Sequence, residues 1–214
     1  MLHKKHALGL VGAVIMLAAG SQAKAVTLES LIGAGPISSG GLIYSNFTDG
    51  GSLPASDVNV TFTPDGLEFT ANWNTITPGH ALSVISYTVS VDPSVGEPLS
   101  GAGLLFAGQV VVQDASASVG ETLTDLSTGQ TYQMQVFYDG TGGSTNNLSD
   151  SVTFNPEATS LRIVKSIDVQ ATAGAFASVN FADNTFAPIP EPMSLALLPL
   201  ALAGLGLRKK LWAH

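Results

Sequence analysis

The fold is decided by the segment VNVTFTPDGLEFTANW, residues 58–73. Apolar and polar residues alternate on both sides of Pro64-Asp65-Gly66, which has the residue types that favour a tight turn. Alternation with a period of two is typical of a β-strand that buries one face, so the segment predicts a β-hairpin. The apolar positions of this alternation are Val58, Val60, Phe62, Leu67, Phe69, Ala71 and Trp73.

The same period continues through the middle of the chain and indicates about nine or ten short strands in all. No helical segment of crossover length lies between them, which excludes a parallel βαβ sheet. The sequence therefore predicts an all-β fold, an antiparallel β-sandwich or jelly-roll-like domain over residues 26–187. The further predicted strands are residues 85–91, 104–112, 116–123, 132–138, 151–154, 159–171 and 175–186.

Three local features of this domain can also be interpreted. Residues 27–32 fit one short helix with Thr27 as its N-cap, and residues 38–41, Ser-Ser-Gly-Gly, indicate a loop. Lys165 shares the parity of the apolar residues in its strand. That position predicts a bulge, an edge location or a side chain whose stem alone is buried.

Composition excludes several classes of function. The 214 residues include no cysteine, so a disulfide scaffold, a thiolate zinc site and a cysteine nucleophile are ruled out. Only 11% of residues are charged, and residues 26–187 hold two basic and fifteen acidic residues, a formal charge of −13. A domain this acidic repels phosphate backbones, which argues against a nucleic-acid partner.

The N-terminus has the pattern of a signal peptide, residues 1–25. A basic start at residues 3–6 precedes an apolar run over residues 7–20, which is shorter than the roughly 20 residues of a spanning helix. Ala23-Lys24-Ala25 then provides the small-x-small pattern that signal peptidase accepts, so we expect cleavage after Ala25. The alternative is an uncleaved anchor.

The C-terminus, residues 188–214, has three parts in a fixed order. Pro190-Glu191-Pro192 is held extended by its prolines, and the apolar run of residues 193–207 predicts a transmembrane helix. The basic cluster that follows consists of Arg208, Lys209 and Lys210. Basic residues at this place stay on the cytoplasmic side, which would leave the acidic middle outside.

This tail resembles the PEP-CTERM sorting signal of Gram-negative bacteria, which exosortases recognise. The resemblance covers roughly the last 25 residues, with two departures, Pro199 inside the apolar run and four residues, 211–214, after the basic cluster. It implies export past a signal peptidase, a transient anchor in the inner membrane, recognition by an exosortase and final deposition at the cell surface or in an exopolysaccharide matrix. The alternative is an ordinary anchor that is never processed.

No catalytic constellation can be read from the sequence. His80 lies in a predicted turn without a nucleophile motif around it, which favours a solvated residue over a general base. The carboxylates that a glycosidase would need fall mostly at predicted strand edges or turns, where acidic residues are common for solubility alone. These candidates are Glu68, Asp92, Glu97, Asp114, Glu121 and Asp125.

Two binding features remain. Asp139 and Asp150 bound a Gly-rich loop that offers oxygen ligands to calcium, although its spacing fails the EF-hand pattern and a plain hairpin loop is the alternative. Sugar-binding modules stack sugars on exposed aromatics, but Trp73, Tyr132 and Tyr138 share the parity of core residues.

We therefore expect a non-enzymatic, exosortase-sorted surface or matrix protein associated with exopolysaccharide. A carbohydrate- or calcium-binding adhesion module is the alternative, and a hydrolase is the third hypothesis.

Overall fold

The computed structural model describes residues 25–75, 79–94, 97–111, 115–140 and 146–188. The predicted signal peptide up to residue 24 and the predicted transmembrane helix lie outside these residues. Among the described residues, none of the helices has the length and hydropathy needed to cross a bilayer.

The described chain contains twelve strands, one short α-helix and one short 3-10 helix, Ala55–Asp57. The α-helix, α1 (Leu28–Leu31), has four residues and begins after the predicted N-cap, Thr27. The Thr27 hydroxyl accepts a hydrogen bond from the Ser30 amide at 3.4 Å. This confirms the predicted short helix. The strands are β1 (Ala25–Thr27), β2 (Ile37–Ser39), β3 (Leu42–Gly51), β4 (Asn59–Phe62), β5 (Gly66–Thr75), β6 (Gly79–Val91), β7 (Leu99–Val111), β8 (Ala115–Asp125), β9 (Thr131–Asp139), β10 (Ser149–Ala158), β11 (Ser160–Ala171) and β12 (Phe176–Pro188).

The strands form two six-stranded antiparallel sheets. Sheet A has the order β1-β4-β5-β12-β7-β10 and sheet B the order β2-β3-β6-β11-β8-β9. From β5 to β12 the chain changes sheet at every step except β8 to β9, which pair within sheet B, so that 5-12-7-10 faces 6-11-8-9, which is jelly-roll connectivity. The predicted β-sandwich is confirmed, and the strand order, which periodicity cannot reveal, comes from the structure.

The predicted hairpin lies in sheet A with the expected register. β4 pairs with β5 from Asn59 opposite Thr70 to Phe62 opposite Leu67. The carbonyl of Asp65 in the turn accepts a hydrogen bond from the Phe186 amide at 2.7 Å, which ties the turn to β12. The alternation seen in the sequence therefore sets both the pairing and the buried face.

The predicted loop at residues 38–41 is only partly right. Ser38 and Ser39 belong to β2, which turns into β3 through Gly40 and Gly41 alone. Both glycines have positive φ, 60° and 81°, as a two-residue hairpin turn requires. A Cβ at Gly40 would lie 1.6 Å from the carbonyl oxygen of Pro64, so the turn also needs glycine for its close approach to the neighbouring turn.

The core lies between the two sheets. The largest fully buried side chain is Trp73 of β5, whose indole Nε1 donates a hydrogen bond of 2.9 Å to Oγ of buried Ser83 in β6 of the opposite sheet. Trp73 has the burial that its parity predicts. Lys165 does not have the predicted edge or half-buried position: it is 0% exposed in β11, which pairs on both sides with β6 and β8.

Candidate functional site

A row of polar side chains crosses the outer face of sheet B near one end. Strand register places His80 of β6 beside Gln170 of β11, Gln170 beside Ser116 of β8, and Ser116 beside Asp139 of β9. Residues directly opposite in antiparallel strands share a face, so these four side chains form one line, here called the polar row. With strands about 4.8 Å apart, the polar row is about 14 Å long.

One end of the polar row is fixed by hydrogen bonds. The Nε2 atom of His80 lies 3.1 Å from Oδ1 of Asp168, and Gln170 Nε2 donates to the same carboxylate at 3.1 Å and 3.3 Å. The His80 and Asp168 side chains are 49% and 30% exposed. At this exposure the contact positions side chains on the surface and contributes little to stability. His80 and Gln170, which are neighbours across β6 and β11, are therefore both held by the Asp168 carboxylate.

The polar row opens into a cleft of about 350 Å³ at the end of sheet B. Gly79 of β6, Ala171 of β11 and Ala115 of β8, which are neighbours in register, also line this cleft. The volume lies within the range of small-ligand sites, about 300–1,000 Å³. The polar side chains that line the cleft are Ser116, Asp139, Gln170 and Thr172.

An aromatic ring lies in the next row of the same face. Phe137 of β9 pairs with Ser118 of β8, which in turn pairs with Asp168 of β11. Phe137 is partly exposed although it is a large apolar residue. Its backbone is fixed by paired hydrogen bonds with Asn147, 2.6 Å and 3.0 Å long. The face therefore combines a held aromatic ring with hydroxyl, amide and carboxylate groups.

This combination suits a ligand that carries many hydroxyl groups. A carboxylate accepts hydrogen bonds, an amide both donates and accepts, and Ser and Thr hydroxyls can rotate to do either. Aromatic rings pack against the apolar faces of sugars. Among the described residues, no group of three His, Asp or Glu side chains is arranged to hold a metal ion.

The structure separates the two residues of the predicted calcium loop. Asp150 accepts backbone hydrogen bonds with both carboxylate oxygens, from Gln135 at 2.9 Å and from Ser151 at 2.8 Å. Asp139 lines the cleft. Residues 141–145 lie outside the described residues, so a calcium site between them stays a prediction.

The other singled-out residues have varied outcomes. Tyr132 and Tyr138 are only partly buried, in contrast to Trp73, and the Tyr132 ring packs on Phe154 with centroids 4.9 Å apart. Glu121 does not lie at a strand edge or turn but in the middle of β8, where it is 3% exposed. Asp125 is in the expected turn yet buried, and it accepts hydrogen bonds from the Ser127 amide and the Thr128 hydroxyl.

The export and sorting residues fall almost entirely outside the described chain. Ala25 is exposed and is the first residue of β1. Ala23 lies outside, as do the sorting motif and the basic cluster, consisting of Pro190, Glu191, Pro192, Arg208, Lys209 and Lys210.

Sequence reasoning missed most of the cleft. Of its polar residues only Asp139 was a candidate, and then as a calcium ligand. Ser116 lies in β8, Gln170 lies at the end of β11 and Thr172 directly follows that strand, with no motif that joins the two segments. Only the register of β8, β9 and β11 brings them together. The alternation in β9 does place Phe137 on the outer face, and that is the one signal that the sequence carries.

No protein-family model and no curated protein matches this chain. Its fold is similar to solved structures of low identity. One is TmCBM61 in complex with beta-1,4-galactotriose (12% identity, 66% of this chain, 89% of that chain, TM-score 0.34). Another is the CBM22-1 xylan-binding domain from Paenibacillus barcinonensis Xyn10C (14% identity, 78% of this chain, 95% of that chain, TM-score 0.28). A third is Trichoderma harzianum endoglucanase 3 from family GH12 (11% identity, 65% of this chain, 97% of that chain, TM-score 0.24).

Proposed function

We propose that the β-sandwich is a non-catalytic domain that binds a neutral extracellular polysaccharide in the cleft at the end of sheet B. The observation that carries this proposal is the convergence of Asp139, Gln170 and Ser116 on one cleft, beside the partly exposed ring of Phe137. Sugar hydroxyls would bond to the polar row, and a sugar face would pack on Phe137.

Charge narrows the ligand class. Residues 26–187 have a formal charge of −13, and two carboxylates, Asp139 and Asp168, lie on or beside the polar row. A polymer rich in uronic acid or sulfate would be repelled by this field. We therefore expect neutral chains to bind better than anionic ones.

Replacing Gln170 by Ala is expected to weaken polysaccharide binding about tenfold, because one or two hydrogen bonds to sugar hydroxyls, each about 1 kcal/mol, are lost. Affinity electrophoresis measures this effect, with the exopolysaccharide of the producing strain or a neutral β-glucan in the gel. The matched control is Gln133→Ala, an exposed glutamine on the outer face of β9 beyond the cleft, which should leave retardation unchanged. Equal weakening by both substitutions, or no retardation of the wild-type protein, would contradict the proposed site.

We also propose that the chain reaches this polymer by exosortase sorting. The support is the sequence of the tail, in which Pro190-Glu191-Pro192, an apolar run and a basic cluster follow in order. The apolar run would halt the chain in the inner membrane and the basic cluster would fix its orientation. Cutting near the tripeptide would then release the acidic domain to the cell surface or the matrix.

Glu191→Gln is expected to leave membrane insertion intact and to block maturation, since the tripeptide keeps its shape but loses its charge. Intact-mass analysis of the secreted and membrane fractions measures it, in a host that has the sorting enzyme. The comparison variant replaces Arg208, Lys209 and Lys210 by Ser and should disturb membrane retention instead. If the Glu191→Gln protein matures at the normal rate, the tail is a plain anchor.

A further inference from the structure

An amine, a carboxyl and an amide meet inside the sandwich. Lys165 of β11 and Glu121 of β8 are register partners, both side chains are 0% exposed, and Nζ lies 3.6 Å from Oε1. Asn184 of β12 reaches the same carboxyl from the opposite sheet, and its Nδ2 donates to Oε2 at 2.5 Å. One carboxyl therefore touches both an amine and a carboxamide. We call these three residues the buried triad.

The buried triad lies among apolar residues, with two further polar groups in electrostatic range, the Asp183 carboxyl near Lys165 and the buried Tyr87 hydroxyl near Glu121. The Lys165 Nζ lies 5.7 Å from the centroid of the Phe69 ring, and Asn184 lies between Leu67 and Leu104 in sheet A. Within the described residues, Lys165 Nζ, Glu121 Oε1 and Asn184 Oδ1 are buried without a hydrogen-bond partner. Buried polar atoms without hydrogen bonds are costly for a folded protein, and the ion pair of Nζ with Oε1 at 3.6 Å offsets only part of this cost.

Burial also favours the neutral forms of the two ionisable groups. Desolvation lowers the pKa of Lys165, although the nearby Glu121 opposes this shift. Desolvation raises the pKa of Glu121, against the opposing effect of Lys165. A neutral amine is a nucleophile, and a neutral carboxyl can donate a proton to a carbonyl oxygen.

The placement of Lys165 is unusual for the chain as well. It is the only lysine between residues 26 and 187. Lysine is almost never fully buried unless it is paired, and its charged end normally lies in solvent at the protein surface. In this domain the single lysine contributes nothing to the surface, which indicates a role inside the fold.

We propose that Lys165 and Asn184 become joined by an amide bond between Nζ and Cγ, formed within the folded domain with Glu121 as the proton-transfer group. The Nζ lone pair forms the new bond to Cγ while the Glu121 carboxyl, whose two oxygens face Nζ and Nδ2, relays a proton from Nζ towards Nδ2. The Cγ–Nδ2 bond then breaks, and Nδ2 leaves as ammonia with a proton that Glu121 passes on from Nζ. No oxidant, cofactor or second substrate is needed, because one amine and one carboxamide give one amide and ammonia.

The fold supplies what this reaction needs. Packing holds the reacting groups on one carboxyl, which replaces a bimolecular encounter by an intramolecular one. Burial of all three side chains keeps water from competing for Cγ. The product would link β11 of sheet B to β12 of sheet A and so staple the two halves of the sandwich.

Peptide mapping of the full-length protein tests the bond directly. Cleavage of the denatured chain after Asp and Glu places Lys165 in residues 158–168 and Asn184 in the peptide that begins at residue 184 and continues past the Glu191–Pro192 bond, which is not cleaved. We expect these two peptides to be recovered as one species, lighter than their sum by one ammonia. Two separate peptides of full sequence mass would overturn the proposal and leave the triad a buried ion pair.

Two substitutions test the chemistry. Glu121→Gln keeps the size of the side chain but removes its transferable proton, so we expect separate peptides. Asn180→Ala, an exposed asparagine on the same strand as Asn184, should leave the joined species unchanged. A joined species in Glu121→Gln would overturn the role of Glu121. Should Glu121→Gln fail to fold, Asn184→Asp replaces it: the same bond should form with loss of water, and separate peptides would count against the proposal.

Discussion

Lys165→Met is expected to lower the free energy of unfolding by about 3–5 kcal/mol at pH 7, because it removes the amine beside the buried Glu121 carboxyl and, with it, the proposed bond to Asn184. Met fills a similar volume, so the loss does not come from a cavity. Out of a total stability of about 5–15 kcal/mol, this is a large fraction. Urea unfolding followed by tryptophan fluorescence measures it.

The Lys165→Met protein should also lose stability as the pH rises. Burial already raises the pKa of Glu121, and Lys165 is the main group that lowers it, so the substitution raises this pKa further. Between the unfolded pKa of about 4.3 and the higher folded pKa, the native state binds more protons than the unfolded state. Stability is therefore greatest at low pH and falls through that window. Unfolding at pH 5 and pH 8 gives the slope.

The double variant Lys165→Met/Glu121→Leu separates the causes of this loss. Removing the carboxyl should abolish the pH slope and recover part of the stability, because no unpaired charge remains in the core. Loss of the proposed Lys165–Asn184 bond, in contrast, is not restored by the second substitution. A single variant as stable as the wild type, with no pH slope, would show that the triad is not electrostatically strained.

Local patterns predicted the strands well because burial of one face imposes a period of two on the sequence. The hairpin of β4 and β5 illustrates this, since its turn residues and its alternation agree. The same reasoning placed Lys165 on the buried face. It could not show that β11 lies at the centre of sheet B, because strand order depends on pairing between distant segments.

Neither the cleft nor the buried triad could be predicted from the sequence, for the same reason. Gln170 and Asp139 are separated by two strands' width but by 31 positions in the chain, and only the register of β8, β9 and β11 brings them to one cleft. Glu121 and Asn184 meet across the two sheets. A one-residue slip in any of these strands would turn the side chains to the other face, so these sites depend on register rather than on a local motif.

Trp73→Ala is expected to lower the free energy of unfolding by about 3–5 kcal/mol, the usual cost of a large aromatic deleted from a core. Trp73 is 0% exposed and is the largest fully buried side chain, so its replacement by Ala leaves a large cavity in the core. The substitution also leaves the buried Ser83 hydroxyl without its indole partner. Thermal denaturation followed by circular dichroism measures the loss.

The contribution of the hydrogen bond within that loss can be measured with a double-mutant cycle. Ser83→Ala should lower the free energy of unfolding by about 1–3 kcal/mol, because it leaves the Trp73 indole N–H buried without a partner. Trp73→Phe should leave the Ser83 hydroxyl without a partner in the same way. The double variant, Trp73→Phe with Ser83→Ala, removes both groups, so it should be less destabilised than the sum of the single variants. Strict additivity would mean that the bond between β5 and β6 adds nothing to packing. A coupling of about 1 kcal/mol or more would mean that this bond, together with burial of the ring, fixes how sheet A lies on sheet B.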